Sequence, residues 1–242
     1  MRVPRRSSDD RAGTFIPQLA ARQRPLCVGS SIGTRSGAAG SIGVFAIRER
    51  RRGFVTSPAA LGAFANDRVG LSVFQPGATG DVGLSEQTRI GTVRAVDIGR
   101  ARYGGAFVEL FEEEEVDAAL PITIGAWDCF TAVLNPSEWK LLGRVAKIGC
   151  ATGLTFGIIS GTDSTREILL PDGHSRRFDD LLEIRARSGP FSLPGDGGAA
   201  VFDPVTGSVL GLVVAGADGP DPPSYAVPLL PVLEGLNAEL LL

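Results

Sequence analysis

Short apolar stretches, each cut off by a cluster of Gly, Pro, Asp or Ser, recur along the whole 242-residue chain. That punctuation leaves little room for long helices and predicts an all-β protein. Glycine supplies 32 residues, roughly twice average usage, which suits a fold rich in tight turns. The predicted strands are Gly43–Ile47, Phe54–Thr56, Val69–Phe74, Ile90–Asp97, Phe107–Leu110, Gly143–Ile148, Leu154–Ile159, Ile168–Leu170, Leu181–Arg185, Ala199–Asp203 and Val209–Val214. They fall into two sets, which predicts two six-stranded antiparallel β-barrels, with Gly43–Ile47 and Phe54–Thr56 joined by a charged loop over residues 48–53. Between the sets, residues 121–141 carry Pro, Asn and both Trp without clean alternation, as expected of a connection between barrels. The expected organisation is therefore a flexible N-terminal extension over 1–26, a first barrel over 27–120, a linker over 121–141 and a second barrel over 142–242. Leu and Val at helical spacing over 229–242 predict a closing helix packed on the second barrel.

Charge and cysteine usage narrow the function. The 24 Lys and Arg against 27 Asp and Glu leave a net charge of −3, so neither nucleic acid nor an anionic membrane is an expected partner. Cys27, Cys129 and Cys150 stand far apart without CxxC spacing, and His174 is the only histidine. No metal site and no cofactor is expected. The first residues are rich in Arg but lack the apolar run of a secretory signal, and no apolar run is long enough to span a bilayer. A cytoplasmic location with free, mostly buried thiols is expected. The glycine-rich stretch 29–43 has no Lys-Ser/Thr after its glycines, so it is read as loop and strand entry and not as a phosphate cradle.

The most specific string is Gly195-Asp196-Gly197-Gly198-Ala199-Ala200-Val201-Phe202-Asp203, followed after one turn by the apolar run Val209 to Gly216. It resembles the nucleophile region of the trypsin-like (chymotrypsin-fold) serine proteases of bacterial type, with Gly197 where the serine belongs. Lys147-Ile148-Gly149-Cys150-Ala151-Thr152-Gly153-Leu154-Thr155-Phe156-Gly157 is similar to the segment that opens the second barrel in that family. Val116-Asp117-Ala118-Ala119-Leu120 resembles the motif that holds the triad aspartate, and residues 67–77 resemble the stretch after the catalytic histidine. The histidine position then falls in residues 54–62, where Ala59 occupies it and Ser57, Pro58 and Ala60 also depart from the usual residues.

Acyl transfer by such an apparatus needs a hydroxyl nucleophile, a base bonded to it and a carboxylate that orients the base. The resemblance implies that only Asp117 and the backbone donors around Gly195, Asp196 and Gly197 remain. Asp117 is expected to be buried and to cap the turn over 55–60. His174 lies in a turn of the second barrel, and Ser192 in the loop before Gly197; neither replaces the missing groups. The expected function is a catalytically inactive relative that binds a peptide or protein. Gly195, Asp196, Gly197 and the strand Val213, Val214, Ala215 and Gly216 would form its binding edge by β-augmentation. Residual hydrolysis, or a scaffold that uses an outer surface, are the alternatives left open by sequence.

Overall fold

The structure is a computed structural model. It describes residues 16–35, 39–62, 69–77, 84–97, 104–124, 127–169, 175–216 and 223–242. In chain order the strands of the first half are β1 (Leu26–Cys27), β2 (Ser31–Ile32), β3 (Gly40–Ser41), β4 (Val44–Arg48), β5 (Arg51–Thr56), β6 (Ser72–Phe74), β7 (Arg89–Asp97), β8 (Gly105–Leu110), β9 (Val116–Asp117), β10 (Ala119–Ile124) and β11 (Trp127–Cys129). The second half contributes β12 (Arg144–Gly149), β13 (Gly153–Leu169), β14 (Ser175–Ala186), β15 (Ala200–Phe202), β16 (Val209–Gly216), β17 (Ser224–Pro228), helix α1 (Leu229–Leu236) and β18 (Glu239–Leu240). The all-β reading holds: two six-stranded antiparallel sheets form the two-barrel architecture of the chymotrypsin fold.

The first sheet runs β18-β4-β5-β8-β7-β6, and the second closes into a barrel in the order β12-β13-β14-β17-β16-β15. The sixth strand of the first sheet comes from the far C-terminus, where Glu239 and Leu240 pair with Ile47 and Ala46 and the Leu241 N–H donates to Phe45 O. The helix predicted over 229–242 therefore ends early. Asn237, in the left-handed conformation (φ 50°), caps α1 at Leu236 and turns the chain into β18. Nor does α1 pack on the second barrel alone, since it lies against β7 and β8 as well as β16 and β17. Among the described residues, no helix is long and apolar enough to cross a membrane.

Other differences have local causes. The charged segment 48–53 is mostly strand, because β4 and β5 turn within two residues, Glu49 and Arg50, at φ 51° and 66°. Two positive φ values define a hairpin turn that Asn-Gly usually announces, and that signal is missing here. The strands predicted at 154–159 and 168–170 are parts of one 17-residue strand, β13, which with β14 runs out beyond the barrel as a two-stranded ribbon. Residues 160–167 in the middle of β13 are exposed or half-buried throughout and bury no apolar face, so that stretch shows no alternation and reads as loop. β17 follows a Pro-rich run that hides it. Residues 16–26 are not a free extension, because Ile16, Leu19 and Leu26 are buried in the main core. In the linker, Asn135 caps a 3-10 turn, Pro136–Leu141, which inserts the fully buried Trp139 into the interior of the second barrel beside Leu182 and Ile184.

The main apolar core spans the first sheet, the seam between the sheets and α1, where Leu229, Val232 and Leu236 are buried. Leu229→Ala is expected to cost about 2–5 kcal/mol, the range for emptying a fully packed leucine site. A single cooperative denaturant transition, moved to lower midpoint, is the expected readout.

Candidate functional site

The turn over 193–198 is held from below by a buried carboxylate. Asp196 is fully buried, and its Oδ1 accepts from the Ala151 N–H at 3.0 Å and the Thr152 N–H at 3.3 Å. Its Oδ2 accepts from the Thr152 hydroxyl at 2.7 Å and the Leu193 N–H at 3.0 Å, and lies 3.3 Å from Lys147 Nζ. Lys147, equally buried on β12, donates to the Thr152 hydroxyl and to Gly153 O. Burial pushes the Lys147 ammonium below its ordinary pKa, while Asp196 works against that shift. The pair is therefore a means of fixing geometry more than a net source of stability. Lys147 received no role in the sequence reading, although it opens the very segment that carries the family likeness.

From above, the same turn is tied to the first half of the chain through β3, which pairs with β2. Ser41 on β3 accepts from the Cys150 N–H and donates its hydroxyl to Gly195 O at 3.0 Å, and its own N–H donates to Gly197 O at 2.8 Å. Cys150 is buried, its Sγ 3.1 Å from Gly195 O, and burial pushes the thiol up. Asp196, Gly198 and Ala199 use their N–H groups within the fold. Among the described residues, the N–H groups of the half-buried Gly195 and Gly197 make no hydrogen bond. Gly195 and Gly198 take φ of 106° and 86°, a region that favours glycine.

Across the seam, β5 ends at Thr56 and runs into a 3-10 turn, Pro58–Leu61, that contains Ala59. Ser57 caps it, its Oγ accepting from the Ala60 N–H, and Thr56 donates its hydroxyl to Ser41 O. The fold brings this turn to the Gly195–Gly198 turn: a Cβ added to Gly197 would lie 3.7 Å from Ser57 Oγ. Asp117 is elsewhere. It sits on β9 beside Cys27 of β1, exposed, and its Oδ1 accepts from the Ala119 N–H at 3.0 Å. The expected buried carboxylate that caps residues 55–60 is thus corrected to a surface turn-former, a short-range use common for Asp. Cys27 is the group that feels it; burial, opposed by Ser30, raises that thiol, and Asp117 raises it further.

The proposed binding edge is shorter than the sequence predicted. Val213 is spoken for, since its O accepts from Gly198 and its N–H donates to Ala199 O. β17 covers one side of β16 as far as Gly216, which pairs with Ser224. Beyond Val213 the other side carries no strand among the described residues, which leaves Val214, Ala215 and Gly216 as the open edge. Below Gly216, the hydroxyls of Ser192 and Ser224 are hydrogen-bonded at 2.7 Å, and Ser192 Oγ lies 3.5 Å from where a Cβ on Gly216 would be. His174 lies outside the described residues.

The sequence matches no family model and no curated protein sequence. Solved structures are more informative. Thermobifida fusca protease A superposes with a TM-score of 0.64 over 89% of this chain and 99% of its own, at 16% identity. Nocardiopsis protease gives 0.62 over 88% and 97%, at 18% identity. Cellulomonas bogoriensis chymotrypsin gives 0.59 over 89% and 97%, at 16% identity. The chain therefore has the fold of the bacterial chymotrypsin-like serine proteases.

Stability measurements probe this site. Lys147→Met leaves Asp196 buried without its cation and is expected to cost about 3–5 kcal/mol in a denaturant melt. Gly197→Ala should stay within about 1 kcal/mol of the parent, because an alanine there meets nothing closer than Ser57 Oγ. Gly198→Ala should lose at least about 2 kcal/mol, since its Cβ would meet Thr56 and its φ is positive.

Proposed function

We propose that the chain is a chymotrypsin-fold protein without peptidase activity, and that its cleft binds an extended peptide segment of a partner protein. The observation that carries this reading is that the turn holding Ala59 comes up to Gly197, where a Cβ would lie 3.7 Å from Ser57 Oγ. Neither Ala59 nor Gly197 has a group that can attack a carbonyl or take a proton, while the turn around Gly197 is fixed by the hydrogen bonds of Asp196 and Ser41. The unspent N–H groups of Gly195 and Gly197 are donors for a peptide carbonyl, and the open edge Val214–Gly216 offers main-chain pairing for an extended strand. Backbone donors and a strand edge recognise a polypeptide in any sequence.

A peptide library displayed on phage, followed by titration of a selected peptide into isotope-labelled protein, tests the reading. Amide shifts are expected at Gly195, Gly197 and residues 214–216, with intact peptide recovered and no labelling by a serine-directed phosphonate. Peptide cleavage, a covalent phosphonate adduct, or shifts confined to another surface such as the 48–52 hairpin would overturn it.

A further inference from the structure

We infer that Gly104, at the entry to β8, stands where a carboxylate would orient a base at residue 59, so that residues 59, 104 and 197 are three emptied positions of one constellation to which Asp117 does not belong. This rests on the proposed reading of the cleft as a site without peptidase chemistry, and it identifies the third group that is missing.

The register gives the placement. A group that orients a side chain at 59 comes from what lies beside β5 and the turn that follows it: β4 and β8 flank β5, and β3 packs on the turn but holds only Gly40 and Ser41, neither acidic. On the β4 side the Gly43 N–H already donates to Val55 O, which brings Ile42 and Gly43 alongside, neither of them acidic. On the β8 side Thr56 pairs with Ala106, so continuing both strands sets Gly105 against Ser57 and Gly104 against Pro58. A Cβ on Gly104 would lie 3.7 Å from Pro58 Cγ and Cδ, next to residue 59. Asp97, the carboxylate that the register brings beside Gly105 from β7, is turned to α1, where Gly235 leaves it room, and it interacts with Arg176 of β14.

The space around the glycines separates the positions that demand glycine from those that merely have it. A Cβ on Gly43 would come within 2.5 Å of Gly198 O, one on Gly40 within 2.9 Å of Gly197 O, and one on Gly198 within 2.8 Å of Ser41 O. Those three are imposed by the close approach of the two sheets. Gly104 and Gly197 have nothing nearer than 3.7 Å, and neither has a positive φ. A Cβ fits at both, on both flanks of the 57–60 turn, and neither position carries one.

The test is the imidazole pKa of a histidine installed at position 59, read by NMR in A59H, A59H/G104D and A59H/D117N. The native chain has a single histidine, His174, so the new resonance is assigned by difference. In A59H/G104D the pKa of the installed imidazole is expected to rise by about 1 unit or more relative to A59H, the effect of an adjacent carboxylate, and in A59H/D117N to stay unchanged. No rise with G104D, or a fall with D117N, overturns the assignment. Should A59H/G104D fail to fold, A59H/G104N carries the test through NOEs between the two side chains, and their absence overturns it. Peptide binding by the native chain plays no part in this titration, so the two readings stand or fall separately.

Discussion

A carboxylate taken wholly out of water dictates the geometry of the seam. Isolated, the buried Asp196 would cost several kcal/mol or protonate. It is instead surrounded by an ammonium, a hydroxyl and three backbone N–H groups from three segments: Lys147 on β12, the Ala151–Thr152 turn, and Leu193 in its own loop. Each of these partners constrains the backbone that carries it. The turn over 193–198 is consequently set by the β12–β13 corner beneath it, and the unbonded N–H groups of Gly195 and Gly197 inherit that rigidity. Donors fixed before a ligand arrives need no ordering when it binds, which is the condition for a backbone turn to contribute affinity.

The second constraint is the way the two sheets are fastened. Ser41, on β3 in the first half of the chain, reaches Gly195, Gly197 and Cys150 in turns of the second half. Beyond it, the chain returns through α1, which packs on both sheets, and ends as the edge strand β18 of the first. The ribbon of β13 and β14 adds a further tie. Its inner face buries Ile168 and Phe178 in the main core, and Arg166 lies over the ring of Tyr225 while donating to its hydroxyl. Tyr225 pairs with Ala215, so the open edge of β16 is backed by a strand that the ribbon itself supports. Of these ties, Ser41 is the one that reaches the Gly195–Gly198 turn itself.

How much of this was legible in the sequence differs by element. Strands with a core face, such as β7, β12 and β16, announced themselves through apolar runs bounded by turn residues. The ribbon, the Glu49-Arg50 turn and β18 did not, because a two-stranded extension, a positive φ at charged residues and a two-residue strand leave no periodic trace. At the site, the Gly195–Gly198 string was legible because the backbone there needs glycine at positive φ and a buried Asp, a combination that few other structures require. Asp117 misled for the opposite reason. Val-Asp-Ala-Ala is short, and an Asp followed by a backbone N–H two residues on is among the commonest surface turns, so the string carries little information about its partner strand. Pairing decides what such a residue can reach, and no local pattern reports that β5 lies beside β8 while β9 lies beside β1.

The distribution of glycine across the seam separates what packing keeps from what chemistry alone would have kept. Gly40, Gly43 and Gly198 sit where the two sheets touch, and any side chain there would push the sheets apart. Their cost of change is structural and does not depend on whether a reaction is catalysed. Residues 59, 104 and 197 carry no such steric burden; Gly197 joins the halves only through its backbone O, which accepts from the Ser41 N–H whatever the side chain. In a chain under selection for fold and binding but not for acyl transfer, these are the positions free to vary while Lys147, Thr152, Asp196 and Ser41 stay in place. The network of Lys147, Thr152, Asp196 and Ser41 is hydrogen-bonded throughout while residues 59, 104 and 197 hold only methyl groups or hydrogen, the pattern expected if the proposed cleft serves recognition.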